Sequence, residues 1–372
     1  MSGLSEELQK HVLADLVGMC FIGPDFLERV PTRTVSMCEH SSSQALDRFF
    51  AEHPVVANYQ LLQSRRRALL FATQILGDDR SLTDEQLRKK SAMHLLMTVQ
   101  MTLQWLLDDT LDKDASIDGE VGRRIMEFYL SLLGSSSEAP GDERALQAEC
   151  SRYHIPGTFI EVVRHLADWQ RSLASAANVP LQPSSLYGRI NVEYLRAAPQ
   201  AHARFDSPTR YFQHRAANCG LCQEILCGAY WFCRLWEVDT AELDLRQDYY
   251  AAMLHKYSLL GGVCNDLVGY DKDRKEKVST SVEIIKEHRT SRLFEGDDER
   301  GTMSAFVWLI DFYNEGLTEL VNRCRDCDSP VERAILLAAL TTTWATCVLH
   351  HQFMEIYQPH SLKKVLTWRG VS

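Results

Sequence analysis

Apolar residues recur at three- and four-residue spacing along most of the chain, and no stretch sustains the apolar–polar alternation of a half-buried strand. Thr83, followed three residues later by Gln86, forms a capping-box pattern, and helical spacing continues through Leu107. Ser207-Pro208 opens a second helix that carries Tyr211 and runs to about Trp236. Asp239-Thr240 opens a third, through Leu259 and Gly262 to about Asp271. Ser329-Pro330-Val331-Glu332 combines an N-cap, a proline at the first helical position and a glutamate at N3, and starts a helix to about Tyr357. The pattern predicts an all-α protein.

Two stretches break it. Gly134-Ser-Ser-Ser-Glu-Ala-Pro-Gly141 is rich in turn formers, and Asn178 to Asp206 holds three prolines. Residues 134–142 and 178–206 are therefore expected as loops, and residues 1–40 as an N-terminal segment. The apolar helices on both sides of each break need partners, so residues 1–372 read as one domain.

Charge and composition narrow the function classes. Forty basic residues against fifty acidic ones give a net charge of −10, without the basic surplus that phosphate contacts to nucleic acid require. The apolar run Ala334 to Leu349 carries three consecutive threonines and is shorter than a ~20-residue span, so it reads as a buried helix rather than a membrane one. The N-terminal Met1-Ser-Gly-Leu-Ser-Glu-Glu-Leu8 lacks a signal-peptide pattern. Eleven cysteines, an odd number, are scattered through a long chain. They fit reduced thiols in a cytoplasm better than a disulfide scaffold.

Candidate chemistry gathers in two acidic clusters, each ending an apolar helix. In Asp108-Asp109-Thr110-Leu111-Asp112-Lys113-Asp114, Asp108 and Asp112 are four apart and share a helix face. Carboxylates at a helix C-terminus oppose its dipole and repel each other, and a divalent cation would relieve both penalties. Oxygen donors without His or Cys suit Mg²⁺. In the second cluster, Asn265, Gly269 and Asp273 fall at i, i+4 and i+8, with Asp266 beside that stripe and Lys272 within reach as a cation. The alternative for each cluster is a solvated, charged helix end.

Together these residues resemble a known family. Asp108-Asp109-x-x-Asp112 and Asn265-Asp266-Leu267-x-Gly269-x-x-x-Asp273 are similar to the aspartate-rich and second metal motifs of class I terpene synthases. Between them, Tyr211-Phe-Gln-His-Arg215-Ala-Ala-Asn218-Cys219-Gly220 resembles the family's diphosphate-sensing segment, with Asn218 and Cys219 at the linker and effector positions. The C-terminal Trp344 to Tyr357 segment resembles the fungal trichodiene synthase-like group.

The resemblance implies an α-helical bundle around a deep apolar cavity, three Mg²⁺ ions and a prenyl diphosphate substrate, farnesyl diphosphate for the trichodiene-like group. It implies metal binding at Asp108, Asp109, Asp112, Asn265, Gly269 and Asp273, diphosphate binding by Arg215, Lys272 and His350, and catalytic roles for Asp108, Arg215, Asn265 and Lys272. Trp105, Met101, Asn218, Cys219 and Trp344 are the pocket candidates, with core packing as the alternative for each aromatic. A homodimer is one option for assembly. Three positions depart from the family pattern. Gly269 stands where Ser or Thr is usual, Asp273 where Glu is usual, and His350-His351 where an Arg-Tyr pair is usual. A histidine there can donate to diphosphate with a charge that depends on pH.

Other constellations carry less. Cys219-Gly-Leu-Cys222 and Cys324-Arg-Asp-Cys327 are both C-x-x-C, yet both lie in helical sequence far apart. Gly261-Gly262 marks either a kink in its helix or a close helix approach. A chain-elongating prenyltransferase shares the fold but normally carries a second Asp-Asp-x-x-Asp. A further rival is the same cyclisation chemistry on geranyl or geranylgeranyl diphosphate, and the non-enzyme rival is a helical protein that binds an isoprenoid or a partner without turnover.

Overall fold

The computed structural model describes residues 18–29, 36–57, 61–79, 82–111, 119–134, 142–198, 205–276, 278–290 and 297–371. Every extended regular element among them is helical: α1 Met37–Glu52, α2 Leu62–Leu76, α3 Asp84–Leu111, α4 Gly119–Leu133, α5 Glu143–Arg152, α6 Thr158–Ala176, α7 Leu186–Ala197, α8 Pro208–Asn218, α9 Leu221–Leu235, α10 Gln247–Glu276, α11 Asp298–Asp326, α12 Pro330–Gln352 and α13 His360–Val371. Single turns at Pro54–Ala57, Ala241–Leu245, Ser281–Ile285 and Met354–Tyr357 connect them, with a π-helical turn at Lys286–Thr290.

The predicted helix starts are built as their sequences require. Thr83 N–H donates to Gln86 Oε1 at 3.0 Å and Gln86 N–H returns to Thr83 Oγ1 at 3.3 Å, closing the capping box of α3. Ser207 and Ser329 each cap a helix whose first residue is proline.

α12 is the apolar centre. From Ala334 to His350 nearly every side chain is buried, and the helix packs on α2, α9, α10 and α11. At ~1.5–3 kcal/mol for each buried Leu, Ile or Val side chain, this helix anchors the bundle. It is long and apolar enough to span a membrane by composition alone, but its partners here are other helices. α3 lies across α2, α6 and α1, and α10 runs between α8, α9, α11 and α12.

Four boundaries differ from the sequence expectation. The helix expected from Asp239-Thr240 to about Asp271 is a short turn, Ala241–Leu245, broken at Arg246 before α10, which runs on to Glu276. The helix expected from Ser207 to Trp236 is two helices, because Gly220 takes a left-handed φ of 74° between α8 and α9. The 178–206 stretch, expected as a loop, contains α7, capped by the Ser185 hydroxyl. The helix from Ser329 ends at Gln352, short of Tyr357, with a separate turn following. α10 is unbroken through Gly261-Gly262, so those glycines serve close approach and not a kink. A Cβ on Gly262 would stand 3.3 Å from Arg215 Cγ, and one on Gly261 would collide with Leu221. Of the 134–142 loop, residues 135–141 lie outside the described residues.

Candidate functional site

Helices α2, α3, α8, α9, α10 and α12 enclose a cavity of about 210 Å³. α10 supplies its polar rim. Asn265, Gly269 and Asp273 share one face of this helix, and the Asp273 carboxylate folds back over Gly269, where a Cβ would lie 3.2 Å from Asp273 Oδ2. Burial pushes the Asp273 carboxyl up to about 6, against the pull of Lys272 and with a further push from Asp266. Lys272 Nζ lies 3.4 Å from Asp273 Oδ1 and 3.4 Å from Glu276 Oε2. Partial burial disfavours its ammonium, but these two carboxylates outweigh that and hold its pKa above the ordinary lysine value.

Asp266, one residue from Asn265, serves α8 instead. Its Oδ1 meets Arg215 Nη2 at 2.8 Å. Its Oδ2 accepts from Tyr211 OH at 2.8 Å, Ser281 N–H at 2.8 Å and Ser281 Oγ at 2.5 Å. This carboxylate is buried and fully partnered, so it orients a cation and is not free to take another. Arg215 Nη1 donates to Asn218 Oδ1 at 3.1 Å, and Asn218 Nδ2 in turn reaches His214 Nε2 at 3.0 Å. Burial, then Arg215, holds His214 down to about 4, so that ring is neutral and accepts the amide proton. Arg215 itself stays charged, because Asp266 outweighs the cost of burying it. Its Nε–H, packed over Gly262, has no partner among the described residues.

His350 lines the cavity with Arg215 and Lys272. Its Nε2 lies 3.2 Å from Asn265 Oδ1, its Nδ1 lies 3.7 Å from Cys264 Sγ, and its ring meets Tyr357 edge-on at 4.7 Å. Burial pushes it down to about 4, so the ring is neutral at physiological pH. An amide oxygen can only accept, which puts the proton on Nε2 and leaves Nδ1 to accept from the thiol. The charge expected to vary with pH near neutrality is absent from this ring, which bonds Asn265 as a neutral donor. His351 turns away, as adjacent helix positions must, and packs against Phe26 at 5.4 Å.

No protein-family model matches the chain, and no curated protein does. Solved structures do. The 2-methylisoborneol synthase of Streptomyces coelicolor A3(2), in complex with Mg²⁺ and 2-fluoroneryl diphosphate, superposes with a TM-score of 0.62 at 15% identity, covering 88% of this chain and 95% of that one. The same enzyme with Mg²⁺ and geranyl-S-thiolodiphosphate gives 0.50 at 15% identity over 80% and 92%. A point variant of cucumene synthase gives 0.52 at 12% identity over 88% and 99%. The chain has the class I terpene synthase fold.

Within the terpene synthase fold, α3 ends in the first acidic cluster. Asp108 and Asp109 lie in its last turn, three and four positions after the cavity-lining Trp105; their side chains, and Asp112 altogether, lie outside the described residues. Among the described residues no three His, Cys, Asp or Glu side chains are grouped to hold a metal, and all eleven cysteines are free thiols.

Trp105, Met101, Asn218 and Cys219 line the cavity as expected, and Trp344 does not. Thr346, Leu349 and His350 form the face that α12 turns inward. Trp344 precedes Thr346 by two positions, about 200° around a helix, and is buried in the core on another side. Lining residues that escaped the sequence reading include Arg67, whose guanidinium lies 5.4 Å from the Trp105 ring, Gln104 and Glu224. Glu224 had a signal, as an acid inside the apolar run of α9. Arg67 had none beyond its place in Arg65-Arg66-Arg67. A second concavity of about 440 Å³ is an open groove lined by α11 alone, without the converging groups a binding site needs.

Proposed function

We propose that this chain is a Mg²⁺-dependent terpene cyclase that ionises a prenyl diphosphate and cyclises the resulting carbocation. The observation that carries this reading is the two-part character of one cavity. Arg67, Arg215 and Lys272 bring three cations to its lining beside the oxygen donors Asn265 and Asp273, while Phe71, Trp105 and Leu349 contribute apolar wall. A phosphate-rich head with an isoprenoid tail matches both halves.

The donor set fits a hard divalent ion. Asn265 and the Asp273 carboxylate offer oxygens on one helix face, and a cation there would offset the burial that now disfavours the Asp273 charge. Asn265 and Asp273 would hold one ion, and the Asp108-Asp109-x-x-Asp112 motif two more. When bound, Mg²⁺ supplies Lewis-acid stabilisation of the charge developing on the leaving diphosphate. Arg215, held by Asp266 and Asn218, is oriented before substrate arrives, so little reorganisation accompanies ionisation. Lys272 adds a second charge, held between Asp273 and Glu276. The Trp105 ring offers a π face to a carbocation, and Tyr357 and Leu349 help exclude water.

Farnesyl diphosphate is the substrate that the trichodiene-like C-terminal segment favours. A cavity of about 210 Å³, below the ~300–1,000 Å³ usual for ligand sites, supports geranyl diphosphate as the second reading. The test is incubation of the purified protein with Mg²⁺ and geranyl, farnesyl or geranylgeranyl diphosphate, followed by gas chromatography–mass spectrometry of the hexane extract. A cyclic hydrocarbon or alcohol from one substrate, abolished by EDTA, is expected. A longer prenyl diphosphate formed only with isopentenyl diphosphate would replace the proposal with chain elongation. Absence of turnover with all three would replace it with an isoprenoid binder.

A further inference from the structure

Glu224 stands in the first turn of α9, four residues after the break at Gly220, and lines the cavity. It is 0% exposed and forms no ion pair among the described residues. Its Oε1 accepts from Gln100 Nε2 at 2.9 Å, and its Oε2 is buried with no hydrogen-bond partner there. Burial pushes its carboxyl well above the usual carboxylate range, so the group is a neutral acid.

The neighbouring amides decide where its proton sits. Gln100 Oε1 accepts from Tyr187 OH and from Gln170 Nε2, the latter at 3.4 Å, and Gln170 Oε1 accepts from Tyr129 OH at 2.5 Å. Two tyrosine hydroxyls thereby orient both amides, and Gln100 is left presenting its NH₂ to Glu224. Oε1 must accept, so the acid proton belongs to the unpartnered Oε2. The network ends at Tyr129 and, through Tyr187, at the Cys227 thiol, all three residues buried.

We propose that Glu224 is the internal acid–base group of this cavity, protonating a neutral cyclic alkene intermediate and later recovering a proton from the final carbocation. This rests on the terpene-cyclase reading. The neutral alkene forms when the first carbocation gives a proton to the released diphosphate, the C–H pair closing its double bond; the Glu224 Oε2–H bond then breaks and its electron pair stays on the carboxylate. The alkene π pair forms the new C–H bond, and the adjacent carbon becomes cationic. After further cyclisation the carboxylate takes a proton from a carbon beside the cation, whose C–H pair closes the product double bond. The acid is restored without any external proton donor. The transient carboxylate is opposed by the carbocation itself and by the Gln100 N–H.

The test equilibrates the enzyme in D₂O and runs a single turnover with enzyme in excess over prenyl diphosphate and Mg²⁺, recording diphosphate release and product mass. Wild type is expected to deliver a product carrying one deuterium. E224Q, which keeps an acceptor for Gln100, is expected to deliver only an unlabelled, less cyclised alkene. Unlabelled product from the wild type, or the same labelled product from E224Q, overturns the proposal while diphosphate release keeps the cyclase reading intact. Wild type that releases no diphosphate removes both. Should E224Q fail to fold, the wild-type label still decides. An infrared band for a protonated carboxylic acid at neutral pH is also required of the wild type, and its absence overturns the proposal.

Discussion

The Arg215 guanidinium and the Asp266 carboxylate meet at 2.8 Å between α8 and α10, and Asp266 accepts three further hydrogen bonds on its other oxygen. The residue immediately after the proposed ligand Asn265 thus fixes the arginine proposed to receive diphosphate. Metal rim and anion rim are coupled through two adjacent positions of one helix.

Breaking that pair should be costly. Removing one partner of a buried ion pair leaves an uncompensated charge worth about 3–5 kcal/mol. Asp266→Ala is expected to lower the unfolding free energy from urea titration by that order and to abolish diphosphate release. A double Asp266→Leu, Arg215→Met variant is expected to regain most of the stability and none of the turnover. If the single variant is as stable as wild type, the pair does not hold the rim together.

Gly269 and Asp273 should behave as a unit. The Asp273 carboxylate occupies the space a Cβ at 269 would enter. Gly269→Ser alone is therefore expected to displace Asp273 and raise the Mg²⁺ concentration for half-maximal activity about tenfold. Adding Asp273→Glu, which restores the usual family pattern, should recover it. Additive effects of the two changes in a double-mutant cycle would show the positions to be independent.

His350 is expected to act on Asn265 and not on the substrate. His350→Ala should weaken Mn²⁺ binding in the presence of inorganic diphosphate, read by electron paramagnetic resonance, by roughly 10–100-fold, the range for lost outer-shell partners. His350→Gln, whose amide can still donate to Asn265, should restore part of it. Unchanged Mn²⁺ affinity in His350→Ala would remove this role.

Acid should weaken the protein through histidines that burial holds neutral, against the opposite pull of Asp273 and Glu224, whose raised carboxyl pKa values favour the folded state as pH falls. His94 is fully buried, with Ser42 Oγ at 2.8 Å on Nδ1 and Thr73 Oγ1 at 2.9 Å on Nε2, and burial, then Lys90, holds it down to about 3. Its folded pKa lies below the ordinary histidine value of 6.5, so the unfolded chain binds the extra proton. Stability from this group is complete above 6.5 and falls as pH drops toward 3, by up to about 1.4 kcal/mol per pH unit. His214 and His350, each held near 4, add in the same direction. Between about pH 7.5 and 5 the urea midpoint of His94→Gln should fall less than that of wild type. Parallel profiles for the two proteins would show that the His94 ring is not held neutral.

Much of this molecule was legible along the chain because the relevant physics is local. Capping boxes, proline-led helix starts and carboxylates four residues apart are decided by the ~3.6-residue turn. For that reason α3, α10 and α12 and the Asn265–Gly269–Asp273 stripe were readable from spacing alone. Even the break at Gly220 had a local cause, although glycine inside an apolar run does not announce a positive φ.

What the tertiary structure alone decided is which side chains meet. Asp266 is held by Tyr211 and Ser281, 55 and 15 positions away; His350 reaches Asn265 across 85 positions, and Glu224 reaches Gln100 across 124. No periodicity records such pairings, since they depend on the crossing of helices distant in sequence. The same is true of Trp344, whose helix was predicted and whose face was not. Helix formation is set by neighbours three and four residues apart, whereas the proton on Glu224 and the neutrality of His350 are set by burial, which exists only once the bundle has closed.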